Sequence, residues 1–258
     1  MKILFLGDIV GKPGRRAVKK FLSEFRDFDF LIANVENSAG GFGITGPVFN
    51  ELKEMGIDVM TSGNHIWDKK DGAKVLDEYP EFILRPANYP PGVMGKGYTV
   101  RKKNNFKIGV INLQGRVFMD PIDDPFRKAE EILDEIRSEA DIIIVDFHAE
   151  ATAEKQALGW FLDGKVTAVI GTHTHVQTAD ERLLKKGTFY ITDAGMCGSV
   201  DSVIGTKIED ALYRIRFQIP VRFNVAKGEE EVQGVLIEID NAGRVVDYKR
   251  IKERIESE

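Results

Sequence analysis

Short apolar runs of strand length alternate along this chain with segments whose apolar residues recur at helical spacing, the pattern of an α/β fold. "KILFL" at Lys2 to Leu6 predicts the first strand. Pro13 suits a first helical turn, with Lys12 expected as N-cap, and Val18, Phe21, Leu22 and Phe25 follow on one helical face. "FLIANVE" predicts a second strand, and the glycine-rich "NSAGGFGITG" a loop running into a helix that Pro47 opens and Gly56 closes. "DVMTSG" predicts a third strand. Helices are expected at Gly72 to Glu78, Pro125 to Ser138 and Glu154 to Leu162, with strand pieces at Phe82 to Leu84, Tyr98 to Arg101 and Phe106 to Asn112. "DIIIVDF" and "VTAVIG" are apolar nearly throughout, as strands buried on both faces are.

The last third changes character. "FYITDAG", "YRIRFQIPVRFNV", "EVQGVLIEID" and "RVVDYKRI" alternate with the period of antiparallel strands, and Asn241-Ala242-Gly243 reads as a hairpin turn. The tail "KERIESE" reads as a solvated end with at most a helical turn. Neither repeats nor a linker interrupts the chain, so the expectation is a single domain over residues 1–258: two packed mixed β-sheets flanked by helices.

Composition narrows the class. A chain of 258 residues, 43% hydrophobic and 30% charged, can bury a full core. No apolar stretch has the length of a membrane span, and "MKILFLGD" turns charged too early for a secretory signal, so a cytoplasmic protein without membrane contact is expected. The single cysteine, Cys197, excludes an internal disulfide and a thiolate metal cluster, and reads as a small buried apolar group. A net charge of −5 argues against stable binding of long nucleic acid but not against small anionic substrates, because a local metal charge can outweigh the global balance.

Five apolar runs each end in a side chain able to bind a metal: Asp8 after "ILFLG", Glu36 and Asn37 after "LIANV", Asn64 and His65 after "VMTSG", His148 closing "IIIVDFH", and His173 and His175 after "AVIGT". The first is no ATPase loop: Gly7 and Gly11 enclose three residues instead of four, and Lys12 is followed by Pro13 where a hydroxyl should hold Mg²⁺. Taken singly, Asp8 reads as a loop acid, Asn37 and Asn64 as turn residues, and His148 as a core histidine. Glu36 is harder to explain structurally, since a carboxylate there must be paired or exposed. His173 and His175, two apart in an expected extended segment, would present both imidazoles to one side, with a pH-sensitive structural pair as the rival reading.

Together they favour a site. All 4 histidines of the chain fall at these ends, where α/β sheets bind ligands. Three imidazoles, two carboxylates and amide oxygens exceed the needs of one ion and suit Mn, Fe or Zn. Ion pairs about 3.5–4 Å apart recur in phosphoester hydrolysis. Glu36 is the candidate bridging carboxylate.

The early "GD", the "GNH" at Gly63 to His65 and the late "GTHTH" resemble the calcineurin-like metallophosphoesterases. Two departures, Asp8-Ile9-Val10 without the usual histidine and "NVEN" in place of an aspartate motif, are shared with one bacterial branch. With "FLGDIVGKPGR", "NVENSAGGFGIT", "TSGNHIWD", "NLQGR" and "GTHTHVQTAD", the chain is similar over its whole length to the YmdB-like family of 2′,3′-cyclic nucleotide phosphodiesterases. The resemblance implies a four-layer α-β-β-α sandwich. It also implies two divalent or mixed-valence transition-metal ions: Asp8, Asn37 and His175 on one, Asn64, His148 and His173 on the other, Glu36 bridging and His65 unligated. Iron or manganese is preferred to zinc.

The expected reaction is in-line attack by a bridging hydroxide on a 2′,3′-cyclic nucleotide or related phosphodiester, with His65 assisting the leaving oxygen. Arg116 and the loop Gly40 to Gly46 are candidates for substrate contact, with surface arginine and mobile loop as equal alternatives. Competing readings are a phosphomonoesterase, a nuclease or a protein phosphatase using the same site, and a non-catalytic metal-binding regulator, which would have no use for His65. A C–N hydrolase barrel fits poorly, because the H-x-H pair comes late and the last third does not continue a βα pattern. Exposed C-terminal strands leave room for a homo-oligomer.

Overall fold

In the computed structural model, which describes residues 1–255, the chain begins β1 (Lys2–Leu6), β2 (Asp8–Ile9), α1 (Gly11–Glu24), β3 (Phe30–Asn34), α2 (Gly46–Glu54), β4 (Val59–Thr61), a 3-10 turn (Asn64–Trp67) and α3 (Gly72–Glu78). Next come β5 (Tyr98–Lys103), β6 (Phe106–Gln114), α4 (Pro125–Ile136), β7 (Ile142–His148), α5 (Thr152–Leu162) and β8 (Ala168–Thr172). The last part holds β9 (Arg182–Leu183), β10 (Phe189–Ile191), β11 (Met196–Ser199), α6 (Ile208–Phe217), β12 (Glu230–Ile239) and β13 (Val245–Ile255).

One sheet has the order β2-β11-β12-β1-β3-β4 with β13 added on β12, and the other β5-β6-β7-β8-β10-β9. Both are mixed. β1, β3 and β4 run parallel in the first, and β6, β7, β8 and β10 in the second, so the carboxyl ends that carry the candidate residues gather at one edge of each sheet.

The period-two alternation of β1 explains the layering. Ile3 and Phe5 enter a core between the sheets with Ile32, Ile144 and Ile170, whereas Leu4 and Leu6 face Val18 and Phe21 of α1. Val145 and Phe147 of β7 pack outward on Ile132 of α4 and Leu158 of α5. The result is the expected helix-sheet-sheet-helix stack. Polar ties also join the sheets at the strand ends: Asn34 Nδ2 donates to Asp146 Oδ2 at 3.0 Å, and Ser62 N–H to Asn112 Oδ1 at 2.8 Å. Among the described residues, no helix is long and apolar enough to cross a membrane.

Several expectations need correction. "YRIRF" is the end of helix α6, not a strand, and the segment from Gln218 to Asn224 is irregular. Its alternate apolar residues are not half-buried as a strand requires, and Glu209 and Asp210 in the first turn with Arg214 and Arg216 in the last complement the helix dipole. The tail is not a frayed end: Lys252 to Ile255 continue β13 against β12, the charged side chains of residues 252–254 exposed, while residues 256–258 lie outside the described residues. β10 pairs parallel to β8, and β11 parallel to β2, so the last third is not wholly antiparallel. Ile83 and Leu84 form isolated bridges only. Helix α1 starts at Gly11 with Val10 as N-cap, two residues before Lys12.

Candidate metal centre

Asp8 follows β1 and sits on the short β2, Glu36 and Asn37 follow β3, Asn64 and His65 form the turn after β4, His148 ends β7, and His173 and His175 follow β8. The two sheets bring Asp8, Glu36, His148, His173 and His175 together. His148 Nε2 lies 3.0 Å from Glu36 Oε1 and 3.0 Å from His173 Nδ1. His175 Nε2 lies 3.7 Å from Asp8 Oδ1, and His148 Nδ1 lies 3.9 Å from the same oxygen. One ligand atom each from Glu36, His148 and His173 falls within 4.8 Å of the others, close enough to share an ion.

The histidine tautomers are set from outside the cluster. His148 Nδ1 contacts Thr172 Oγ1 at 2.9 Å, and that hydroxyl donates to Asp146 Oδ1 at 2.7 Å, so the ring must donate from Nδ1 and carry its lone pair on Nε2. His175 Nδ1 donates to the Ile204 carbonyl at 2.8 Å, which likewise leaves Nε2 free toward Asp8. The amide of Asn37 is oriented by Nδ2 donating to Gly41 O at 2.9 Å, so its oxygen faces the other way.

The oxygens that remain are unsatisfied. Asp8 Oδ1, Glu36 Oε1, Asn37 Oδ1 and Asn64 Oδ1 are buried and accept no hydrogen bond. Each orphaned acceptor costs about 1–3 kcal/mol unless something positive meets it. The Asp8 and Glu36 oxygens lie beside imidazole nitrogens, and with the two amide oxygens they offer donors suited to transition-metal cations and not to an apolar core. Gly63 makes room for this crowding: a Cβ there would lie 2.1 Å from His148 Cδ2 and 2.5 Å from Glu36 Oε2. The residues present therefore fit a metal centre.

Electrostatics agree. Burial would raise the Asp8 and Glu36 carboxyls, but His175 next to Asp8 and His148 next to Glu36 hold both below the usual carboxylate range. Burial would lower His175, but Asp8 raises it to about 9; His148 is raised by Glu36 in the same way. His173, half-buried and facing His148, is pushed down to about 3.

The H-x-H segment is not extended. His173 and His175 have φ of 98° and 64°, and these left-handed turns, not strand alternation, bring both rings to the site. His65 stands apart from the cluster: its backbone N–H donates to Glu36 Oε2 at 2.9 Å, its Nδ1 meets Asp68 Oδ2 at 2.9 Å, and its ring lies against Phe42. The cavity beside it, about 190 Å³, is lined by Glu36, Asn37, His173 and His175, by Gly41 and Phe42 of the glycine-rich loop, and by Phe223 to Val225. Arg116 does not line it; its guanidinium pairs with Asp124 at 2.9 Å. Cys197 is buried, its thiol pushed up to about 12 by burial, in keeping with an apolar filler.

A model of YmdB-like proteins matches residues 4–251. The chain belongs to the YmdB-like family. A 2′,3′-cyclic-nucleotide 2′-phosphodiesterase of Bacillus subtilis (strain 168) is 49% identical over 244 residues, 93% of this chain and 92% of that protein. A crystal structure of a hypothetical protein from Thermus thermophilus superposes with a TM-score of 0.94 at 41% identity, covering 98% of this chain and 99% of that one. A crystal structure described as a novel phosphatase from Mycoplasma pneumoniae gives 0.92 at 36% identity, covering 98% and 93%. As a YmdB-like protein the chain has the calcineurin-like fold that its "GNH" and "GTHTH" motifs imply, and the family implies divalent metal ions at the cluster described above.

Sequence reading missed the supports of the site: Asn34, Asp146 and Thr172 behind His148, and Lys155 and Asp193 behind the H-x-H turn. A signal existed for two of them, since Asp146 inside "DIIIVDF" and Asp193 inside "FYITDAG" are carboxylates within apolar runs and so demand partners.

Proposed function

We propose that this protein is a dinuclear metal-dependent phosphodiesterase that hydrolyses 2′,3′-cyclic nucleotides or related small phosphodiesters. The observation that carries the reading is the set of unpartnered buried oxygens of Asp8, Glu36 and Asn37 beside the Glu36, His148 and His173 cluster and a small cavity. The name of the Bacillus subtilis relative supports the substrate class. Asp8, Asn37 and His175 would hold one ion, Asn64, His148 and His173 the other, and Glu36 both. Iron or manganese suits this oxygen-rich set better than zinc. When bound, such a pair supplies a deprotonated water as nucleophile and neutralises phosphoryl charge.

The chain's own residues do the rest. Glu36 is fixed through Oε2 by the His65 N–H, which leaves Oε1 for the ions. His148 and His175 present lone pairs because Thr172 and Ile204 engage their other nitrogens. His65, held at Nδ1 by Asp68, has Nε2 available to protonate the departing ribose oxygen, so the product is a nucleoside monophosphate. Phe42, Phe223 and Val225 give the cavity an apolar wall against the substrate's sugar and base.

The cavity volume and the charge of −5 suit a small nucleotide and not a long nucleic acid. A cytoplasmic setting goes with a single buried cysteine and no disulfide, and the reading treats residues 1–258 as one metallophosphoesterase domain. Because the Mycoplasma pneumoniae structure is described as a phosphatase, a phosphomonoesterase is the second reading.

The test is hydrolysis of 2′,3′-cyclic AMP, bis-p-nitrophenyl phosphate and p-nitrophenyl phosphate by wild type and His65→Ala. Diesterase activity lowered about 10²–10⁴-fold in His65→Ala, with metal retained, is the expected result. Preference for the monoester would select the second reading, and metal without turnover a regulator.

A further inference from the structure

His173 is turned the opposite way from the other two histidines of the cluster. His148 and His175 point Nε2 inward, their Nδ1 atoms being held by Thr172 Oγ1 and the Ile204 carbonyl. In His173 it is Nδ1 that lies inside, 3.0 Å from His148 Nε2, while Nε2 lies 3.1 Å from Glu150 Oε2. A carboxylate can only accept, so this contact keeps a proton on Nε2. The neutral ring then carries its lone pair on Nδ1, toward Glu36 and His148.

The chain path explains why a carboxylate stands there. β7 ends at His148 and α5 begins at Thr152, so the connection is only three residues long. It is also pinned: Ala149 is buried against Gly115, where a Cβ would come within 2.6 Å of the Ala149 Cβ, and the Ala151 carbonyl accepts from the Lys155 N–H at 3.0 Å. His148 enters the cluster, and Glu150, two residues on, meets the H-x-H turn from outside. Lys155 and Asp193 grip the backbone of that turn through the Thr172 carbonyl and the Thr174 N–H, which leaves the His173 ring to be oriented by other groups. Among the described residues, its two nitrogens contact only His148 and Glu150.

We propose that Glu150 is a positioning residue for the metal centre: by holding the His173 proton on Nε2 it aims the Nδ1 lone pair at the ion that His173 shares with Asn64 and His148. The inference rests on the dinuclear reading. As an exposed charge pair the contact would be worth little, because Glu150 is half-exposed. Its effect lies in the tautomer, since a carboxylate on the far nitrogen of a ligand imidazole fixes the ring and makes it more basic.

The test is titration of the metal-depleted full chain with Mn²⁺, free ion being read by electron paramagnetic resonance, for wild type, Glu150→Ala and Glu150→Gln. The half-exposed side chain can be replaced without loss of fold, which circular dichroism checks. Expected are two ions in wild type, one of them bound about tenfold or more weakly in Glu150→Ala with the other unchanged, and recovery in Glu150→Gln, whose amide oxygen still accepts from Nε2. Two unchanged affinities in Glu150→Ala, an equal loss at both, or a Gln variant no better than Ala would overturn the proposal while leaving the dinuclear reading intact. Fewer than two ions in wild type would instead defeat that reading, and the inference with it.

Discussion

Lys155 Nζ lies 2.7 Å from Asp193 Oδ2, with the two side chains 1% and 0% exposed. The same ammonium donates to the Thr172 carbonyl at 2.7 Å, and the same carboxylate oxygen accepts from the Thr174 N–H and hydroxyl. The pair thus grips the chain on both sides of His173, where φ is 98°. Backbone in that region persists only where the surroundings over-determine it. Lys155→Met, which strands a buried carboxylate, should cost about 3–5 kcal/mol in denaturant unfolding and lower metal retention as the turn relaxes. Unchanged stability would mean that the turn holds itself.

Behind His148 stands a second support. Thr172→Val removes the acceptor for Nδ1 and the hydroxyl that reaches Asp146, whose carboxyl burial pushes up to about 7. Metal affinity, titrated against a chelator, should fall about 10–100-fold while the fold is kept. An unchanged affinity would show that His148 needs no outside orientation.

Gly63 is fixed by contact, not by backbone preference, since its φ of −150° is open to any residue. A methyl group there meets His148 and Glu36 at 2.5 Å or less. Gly63→Ala should therefore reduce metal content and activity together, with far-ultraviolet circular dichroism unchanged. Full metal content in that variant would contradict the packing described.

How far the site could be read from sequence is decided by the same residues. Strand ends were legible because apolar runs stop abruptly at Asp8, Glu36 and His148, and these three come together with His173 and His175 in the fold. The geometry of His173 and His175 was not, because positive φ at histidine leaves no trace in a pattern that assumes an extended chain. Helix α6 was misread for a related reason: "YRIRF" has strand period, but period signals structure only when one face is buried, and this segment buries almost none. Lys155 sits among helix residues where a lysine ordinarily means solvent, so only the fold could show its burial.

With His148 and His175 as the proposed ligands, protons and metal would compete for the same nitrogens. Against the lowering effect of burial, Asp8 pushes His175 up to about 9 from an ordinary 6.5, and Glu36 shifts His148 the same way. The folded chain therefore keeps protons that the unfolded chain loses. The stability they confer is complete below pH 6.5 and is lost as the pH rises through about 9, a fall of about 3 kcal/mol for His175. Thermal unfolding of chelator-treated protein should show this decline between those limits. Metal-loaded protein should not, and adding metal at pH 8 should release protons. Equal slopes with and without metal would remove His175 from the ligand set.

The most direct measurement is elemental analysis of the protein purified anaerobically without chelator, alongside Glu36→Gln. A pair of transition-metal ions per chain, iron or manganese, is expected, with both reduced in the variant because Glu36 would serve both. A single ion per chain, or none, or a full pair in Glu36→Gln, would contradict a dinuclear centre bridged by Glu36.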